Sequence, residues 1–108
     1  MKYLMFVCTD PSAPDTGEPD DVRPWVEEMD RRGIRLHGDR VSPSADATTV
    51  RVREGELLLT DGPFAETKEQ IAGYDVIDCA DLDEAIEVAA KHPMARYGLI
   101  EVRPFWTD

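Results

Sequence analysis

The sequence predicts one α+β domain, a ferredoxin-like sandwich with an inserted β-hairpin. Three observations lead to this fold class. The 108 residues, 42% of them hydrophobic, suffice for one core and are too few for two ordinary domains. A chain of this length buries about 65% of its extended surface on folding, enough to be stable without disulfides or a structural metal. Apolar periodicities follow the order strand, helix, strand, hairpin, strand, helix, strand. The first strand also offers apolar side chains to both faces, Leu4 and Phe6 to one and Tyr3, Met5 and Val7 to the other, whereas two helices can cover only one face of a sheet. The simplest cover for the second face is the sheet of another copy, so a homodimer is expected.

The elements are read in order as follows. Lys2 to Cys8, rich in strand formers, is the first strand. Thr9 to Asp20 carries Pro11, Pro14, Gly17 and Pro19 among acids and reads as a loop of about twelve residues, a lid or rim beside a strand end. Val22, Trp25, Val26 and Met29 recur at helical spacing, with Asp20 or Asp21 as N-cap, Pro24 in the first turn and Gly33 as the stop. Ile34 to Val41 is the second strand, which sets His37 and Asp39 on one face, and Ser42 to Ala47 is a turn. Thr48 to Arg53 alternates Val50 and Val52 with Arg51 and Arg53, and Glu54-Gly55 before Leu57 to Leu59 gives a two-residue hairpin. Asp61-Gly62-Pro63-Phe64 is a turn, and Glu66 to Gln70 is expected to form one helical turn. Ile71 to Cys79 is a strand. Asp81 with Glu84 forms a capping box for a second helix with Leu82, Ala85, Ile86, Ala89 and Ala90 on one face, ended by Pro93. Tyr97 to Val102 is the final strand, with Pro104 near its exit.

Charge narrows the function classes. Twelve Lys and Arg against 23 Asp and Glu give a net charge of −11, a field that repels phosphate backbones and anionic headgroups, so neither nucleic acid nor a membrane is an expected partner. The longest apolar run, Leu4 to Cys8, is too short for a signal peptide or a span, and the expected location is the cytosol. Cys8 and Cys79 lie in apolar stretches and read as reduced core residues. Metal-ligand spacing, a phosphate-cradling glycine loop and a nucleophile elbow are absent, so no metal and no cofactor is expected.

Candidate chemistry concentrates at residues 60–69. Gly62 permits a positive φ or a close backbone approach, Pro63 stiffens the corner, and Asp61 reads either as the anchor of an Asx-type turn or as a base. Lys68 between Glu66 and Glu69 either binds a ligand carboxylate or sits in a solvated, salt-bridged turn. His37 could be oriented by Asp39 on its own strand or by Asp61 across strands, or it could stand at the rim of the sheet without a role. His92 reads as a charged cap on the carbonyl end of the second helix. Arg51, Arg53, Arg96 and Arg103 would form an anion site if they converged. Phe64, and Tyr74 beside Gly73, could line a cavity.

The run Asp61-Gly62-Pro63-Phe64-Ala65-Glu66-Thr67-Lys68-Glu69-Gln70, with Gly73-Tyr74, closely resembles the YCII-related family, specifically its DGPF-domain branch. The likeness continues through Thr49 to Arg53, Asp81 to Ala85 and Glu101 to Pro104, nearly the whole chain. It implies a dimeric α+β barrel with a cleft near the subunit interface, and a branch often encoded beside, or fused to, sigma factors of the extracytoplasmic-function type. It also implies that Asp61 and its motif neighbours are the functional positions that carry over. The wider family is associated with a His–Asp acid–base pair whose histidine lies in the first helix. Asp20 to Arg32 contains no histidine, so that pair has no counterpart here. The function expected is therefore a small dimeric ligand-binding or regulatory module, with a sigma factor as a partner. The alternative is a cofactor-independent enzyme using Asp61 or His37.

Overall fold

A computed structural model describes residues 1–14 and 19–107. Its strands and helices run β1 (Lys2–Thr9), α1 (Arg23–Arg31), β2 (Arg35–Arg40), β3 (Thr48–Arg53), β4 (Glu56–Asp61), β5 (Gln70–Asp78), α2 (Leu82–Ala90), α3 (Met94–Tyr97) and β6 (Gly98–Pro104). β2, β5, β1 and β6 form one antiparallel sheet in that order, the ferredoxin-like arrangement, while β3 and β4 form a separate two-stranded sheet. Part of the Thr9–Asp20 loop, including Gly17, lies outside the described residues.

Local chemistry explains most boundaries. The N-cap of α1 is Val22, without a side-chain cap bond, and neither Asp20 nor Asp21 holds that position; Asp21, one residue earlier, accepts from the Arg23 backbone N–H at 2.9 Å, and Pro24 lies inside the first turn. Gly33 N–H bonds Asp30 and Ile34 N–H bonds Met29, the paired closure that satisfies the last carbonyls of a helix and turns the chain into β2. Asp81 caps α2 by accepting from Glu84 N–H, and the Glu84 carboxylate accepts from Ala80 N–H. Both central residues of the β3–β4 turn have positive φ, 52° at Glu54 and 79° at Gly55, as a type I′ hairpin requires. Two further expectations are corrected. Glu66 to Glu69 is irregular, with a bend at Lys68 and Glu69 and no helical turn, and Gln70 already belongs to β5; the Thr67 hydroxyl bonds the Glu69 carbonyl. Pro93 follows the end of α2 and is the N-cap of α3, so Tyr97 belongs to a helix and β6 begins at Gly98; a proline at the start of a helix lacks only an N–H that the helix would not use.

Strand registers divide the main sheet into two faces. Tyr3, Met5 and Val7 stand opposite Ile77, Asp75 and Gly73 and point at the helices. The core there joins Tyr3, Met5, Ile77, Trp25, Met29, Ala85 and Val88, and the Trp25 indole donates to the Val88 carbonyl at 2.9 Å, tying α1 to α2. Leu4, Phe6, Val76 and Tyr74 point the other way and, among the described residues, lie outside the core that the helices cover. The molecule measures only 19 Å across its shortest axis, two layers at about 10 Å each. Its radius of gyration, 15.8 Å, exceeds the roughly 13 Å of a compact chain of this length. The hairpin contributes to the excess: Val50, Val52, Leu57 and Leu59 share one of its faces and each is 59–63% exposed. Cys8 and Cys79 are buried and unbridged. Among the described residues no helix is long and apolar enough to cross a membrane.

Candidate functional site

A cleft of about 620 Å³ opens where the start of α1 and the α2–α3 corner meet the β2–β5 end of the sheet. Its floor has no side chain at Gly38 and Gly73, and Trp25 and His92 line it. Two polar residues of the protein interior meet here. Asp75 is 7% exposed and His92 5%, and they are the buried polar residues among those described.

Asp75 reaches the cleft because the register of β5 turns it to the helix side between Gly73 and Ile77. Arg35 donates through Nε to Asp75 Oδ1 at 2.9 Å and through a terminal nitrogen to the Gly38 carbonyl at 3.0 Å, while Asp30 lies 3.5 Å from the same guanidinium. Gly38 is required by this packing, since a Cβ there would lie 2.1 Å from Asp75 Oδ1. Burial raises the Asp75 carboxyl above its ordinary value, and Arg35 opposes that rise. Oδ2 makes no hydrogen bond among the described residues, and no polar side-chain atom there is both buried and unpartnered. Oδ2 therefore faces the open cleft.

His92 is fixed in one tautomer. Its Nδ1 accepts from the Met94 backbone N–H at 3.0 Å, so the proton of the neutral ring sits on Nε2, which by the same reasoning opens to the cleft. The ring meets Trp25 edge-on, centroids 4.7 Å apart, and burial lowers its pKa to about 4. The sequence-based reading of a charged cap on α2 is thus corrected: His92 is neutral at pH 7 and caps the start of α3 instead. The cleft combines a carboxylate whose proton affinity is enhanced with an uncharged N–H donor. Sequence reasoning missed both, although an acid at an inward-facing position of an apolar strand was a visible signal for Asp75.

Of the other residues singled out from sequence, Tyr74 and Asp39 contribute to the lining of the cleft, whereas His37, Asp61, Gly62, Phe64 and Lys68 lie outside it. His37 and Tyr74 come together on the uncovered face, Tyr74 Oη and His37 Nε2 being 3.0 Å apart, with Asp39 opposite Tyr74 in the register. Asp61 ends β4 opposite Thr48, on the separate hairpin sheet. Gly62, at φ +99°, donates to the Ala47 carbonyl at 2.7 Å and its own carbonyl accepts from the Thr49 hydroxyl. Phe64 is 80% exposed and Lys68 is exposed. The arginines do not converge: Arg51 and Arg53 lie on the hairpin, Arg96 is 3.9 Å from Asp20, and Arg103 bonds Glu101. Among the described residues no group of three or more His, Cys, Asp or Glu is arranged to hold a metal.

Comparison with known proteins places the chain. A protein of Rhizobium meliloti (strain 1021), itself uncharacterised, is 49% identical over 67 residues, which cover 60% of this chain and 54% of that protein. The chain spans about half the length of that relative. The family model describing the YCII-related domain matches residues 1–107, all but the last residue. The chain belongs to the YCII-related domain family.

Proposed function

We propose that this protein is a homodimeric module of the cytosol that binds a small organic molecule in the cleft above Asp75. The observation that carries the reading is that both buried polar residues turn one unpartnered atom into the same cleft. Both atoms are reachable from the cleft, so a ligand that offers a donor to Asp75 Oδ2 and an acceptor to His92 Nε2 can replace the water there. The homodimer is supported by the two-layer thickness and by the apolar face of the hairpin. A second copy of the same acidic chain must approach through apolar surface, because like charges oppose any other contact. Two copies meeting sheet to sheet would form the dimeric α+β barrel of the DGPF branch. In its regulatory form the module would act with the extracytoplasmic-function sigma factor that the resemblance implies.

Two measurements test this reading. Light scattering at micromolar concentration should give twice the chain mass. Titrating the isotopically labelled protein with a fragment set of small carbonyl and carboxylate compounds should shift the NMR signals of Asp75 and His92. A monomer, or shifts confined to the hairpin, would count against it.

A second reading places a cofactor-independent acid–base enzyme on the other face, with His37 or Asp61 as the general acid or base and Phe64, Gly62, Lys68 and Tyr74 as ligand contacts. The His37–Tyr74 hydrogen bond favours His37 in this role. Here His37→Ala should abolish a turnover that Asp75→Asn leaves intact.

A further inference from the structure

We propose that the cleft is an acid–base site for a small 2-oxo acid: the Asp75 carboxylate removes a proton from the carbon next to the carbonyl, and the His92 Nε2–H holds the oxygen on which charge develops. The inference rests on the ligand-binding reading of the cleft and names its chemistry. Three features of this chain support it.

The first is the division of Asp75. Arg35 holds Oδ1, for which the absent side chain of Gly38 leaves room, and this orients the carboxylate, while Oδ2 stays open to a substrate. Burial makes it a better base than an exposed aspartate. The second is the state of His92. A neutral imidazole whose proton is locked on Nε2 by the Met94 N–H donates a hydrogen bond without titrating near pH 7, which suits stabilisation of an enolate oxygen rather than proton abstraction. The third is Arg40. It lies opposite Gly73 in the register, lines the cleft, and makes no ion pair or hydrogen bond among the described residues. An arginine on the helix side of the sheet at the cleft, with its side chain uncommitted, suits the carboxylate of the substrate.

The step balances without a co-reactant. Oδ2 takes the proton; the C–H pair becomes the C=C bond of the enolate, and the C=O π pair moves onto oxygen, against the His92 N–H. Asp75 then returns the proton to carbon as the pairs move back, so the net reaction is exchange or isomerisation.

The test is the exchange of the C3 protons of 2-oxobutyrate for solvent deuterium, followed by proton NMR with the whole chain. The protein should accelerate exchange by roughly 10²-fold or more over buffer. Asp75→Asn should return it to background, and His92→Phe, which keeps a ring against Trp25 but no N–H, should lower it by about 10²-fold. If Asp75→Asn does not fold, Asp75→Glu keeps the charge on Arg35 while displacing the carboxylate, and must slow exchange. Oxalate, a planar dianion resembling the enolate, separates the two readings through the His92 ring signals of the native protein. Oxalate shifts without exchange would overturn the acid–base site and leave ligand binding standing. Neither shifts nor exchange would overturn both, and exchange undiminished in the Asp75 variants would remove Asp75 as the base.

Discussion

Tyr74 and Asp75 are neighbours in β5, yet they belong to two different environments. Asp75 faces the helices, where Met5 and Ile77 are fully buried and its carboxylate is held by Arg35. Tyr74 faces outward, where Leu4, Phe6 and Val76 are half-buried and the tyrosine hydroxyl bonds His37. One face is finished within the chain and the other is not. The difference separates two kinds of polar residue: those on the finished face bear a desolvation cost and call for a chemical reason, whereas those on the open face are wet in a single chain and need none until a second copy arrives.

The largest effect that sharpens this comparison comes from truncating the same strand on its two sides. Met5→Ala should cost about 2–5 kcal/mol of unfolding free energy by leaving a cavity, with an unfolding midpoint lowered equally at every protein concentration. Phe6→Ala should act through association, so its cost in denaturant titrations should grow as the protein is made more concentrated. A Phe6→Ala loss as large as that of Met5→Ala and independent of concentration would mean that the open face has no partner copy.

Much of this division is legible in the sequence. Alternation along Lys2 to Cys8 by itself separates the two faces, and the turn residues Glu54-Gly55 locate the hairpin. The cleft is not legible, for a reason that lies at Leu36. The β2–β5 register shifts between Arg35 and His37, so Arg35 shares the helix face with Gly38 and Arg40, whereas strict alternation would set it beside His37 and Asp39. A one-residue irregularity reverses the side of every later residue relative to Arg35, and no local pattern in the sequence announces it. His92 is hidden differently. Its position after a helix suggests a favourable charge at the carbonyl end, while the burial against Trp25 that keeps it neutral is a tertiary contact.

The state of His92 gives the next effect in size. Because burial lowers its folded pKa from about 6.5 to about 4, the unfolded chain binds the proton first as pH falls. Stability should therefore be full above pH 6.5, decline as pH falls from about 6.5 to about 4, and be lost by roughly 2–3 kcal/mol from this residue below that window. Protonating Nδ1 would also break its bond from Met94 N–H. Asp75 has the opposite sign: its raised folded pKa means that the native state gains a proton first, which offsets part of the loss at the acid end of the range. Asp20, which lies 3.9 Å from Arg96, Asp21, Asp39, Arg35 and Arg40 are the other charged residues that line the cleft with His92 and Asp75. In a His92→Phe variant the decline between pH 6.5 and 4 should flatten in thermal unfolding curves; an unchanged decline would assign it to other groups.

The smallest effect tests the open face from its polar side. Tyr74→Phe removes one hydroxyl and leaves the ring against His37, with centroids 5.2 Å apart. In a dilute, single chain the lost hydrogen bond is replaced by water, and unfolding free energy should fall by no more than about 1 kcal/mol. If a second copy covers this face, water cannot replace the hydroxyl and His37 Nε2 is left buried without a partner, a penalty of about 1–3 kcal/mol. The cost of Tyr74→Phe should then rise with protein concentration in parallel with that of Phe6→Ala. A cost that stays small at concentrations where light scattering shows the dimer would place the His37–Tyr74 pair outside the contact, on a rim still open to water.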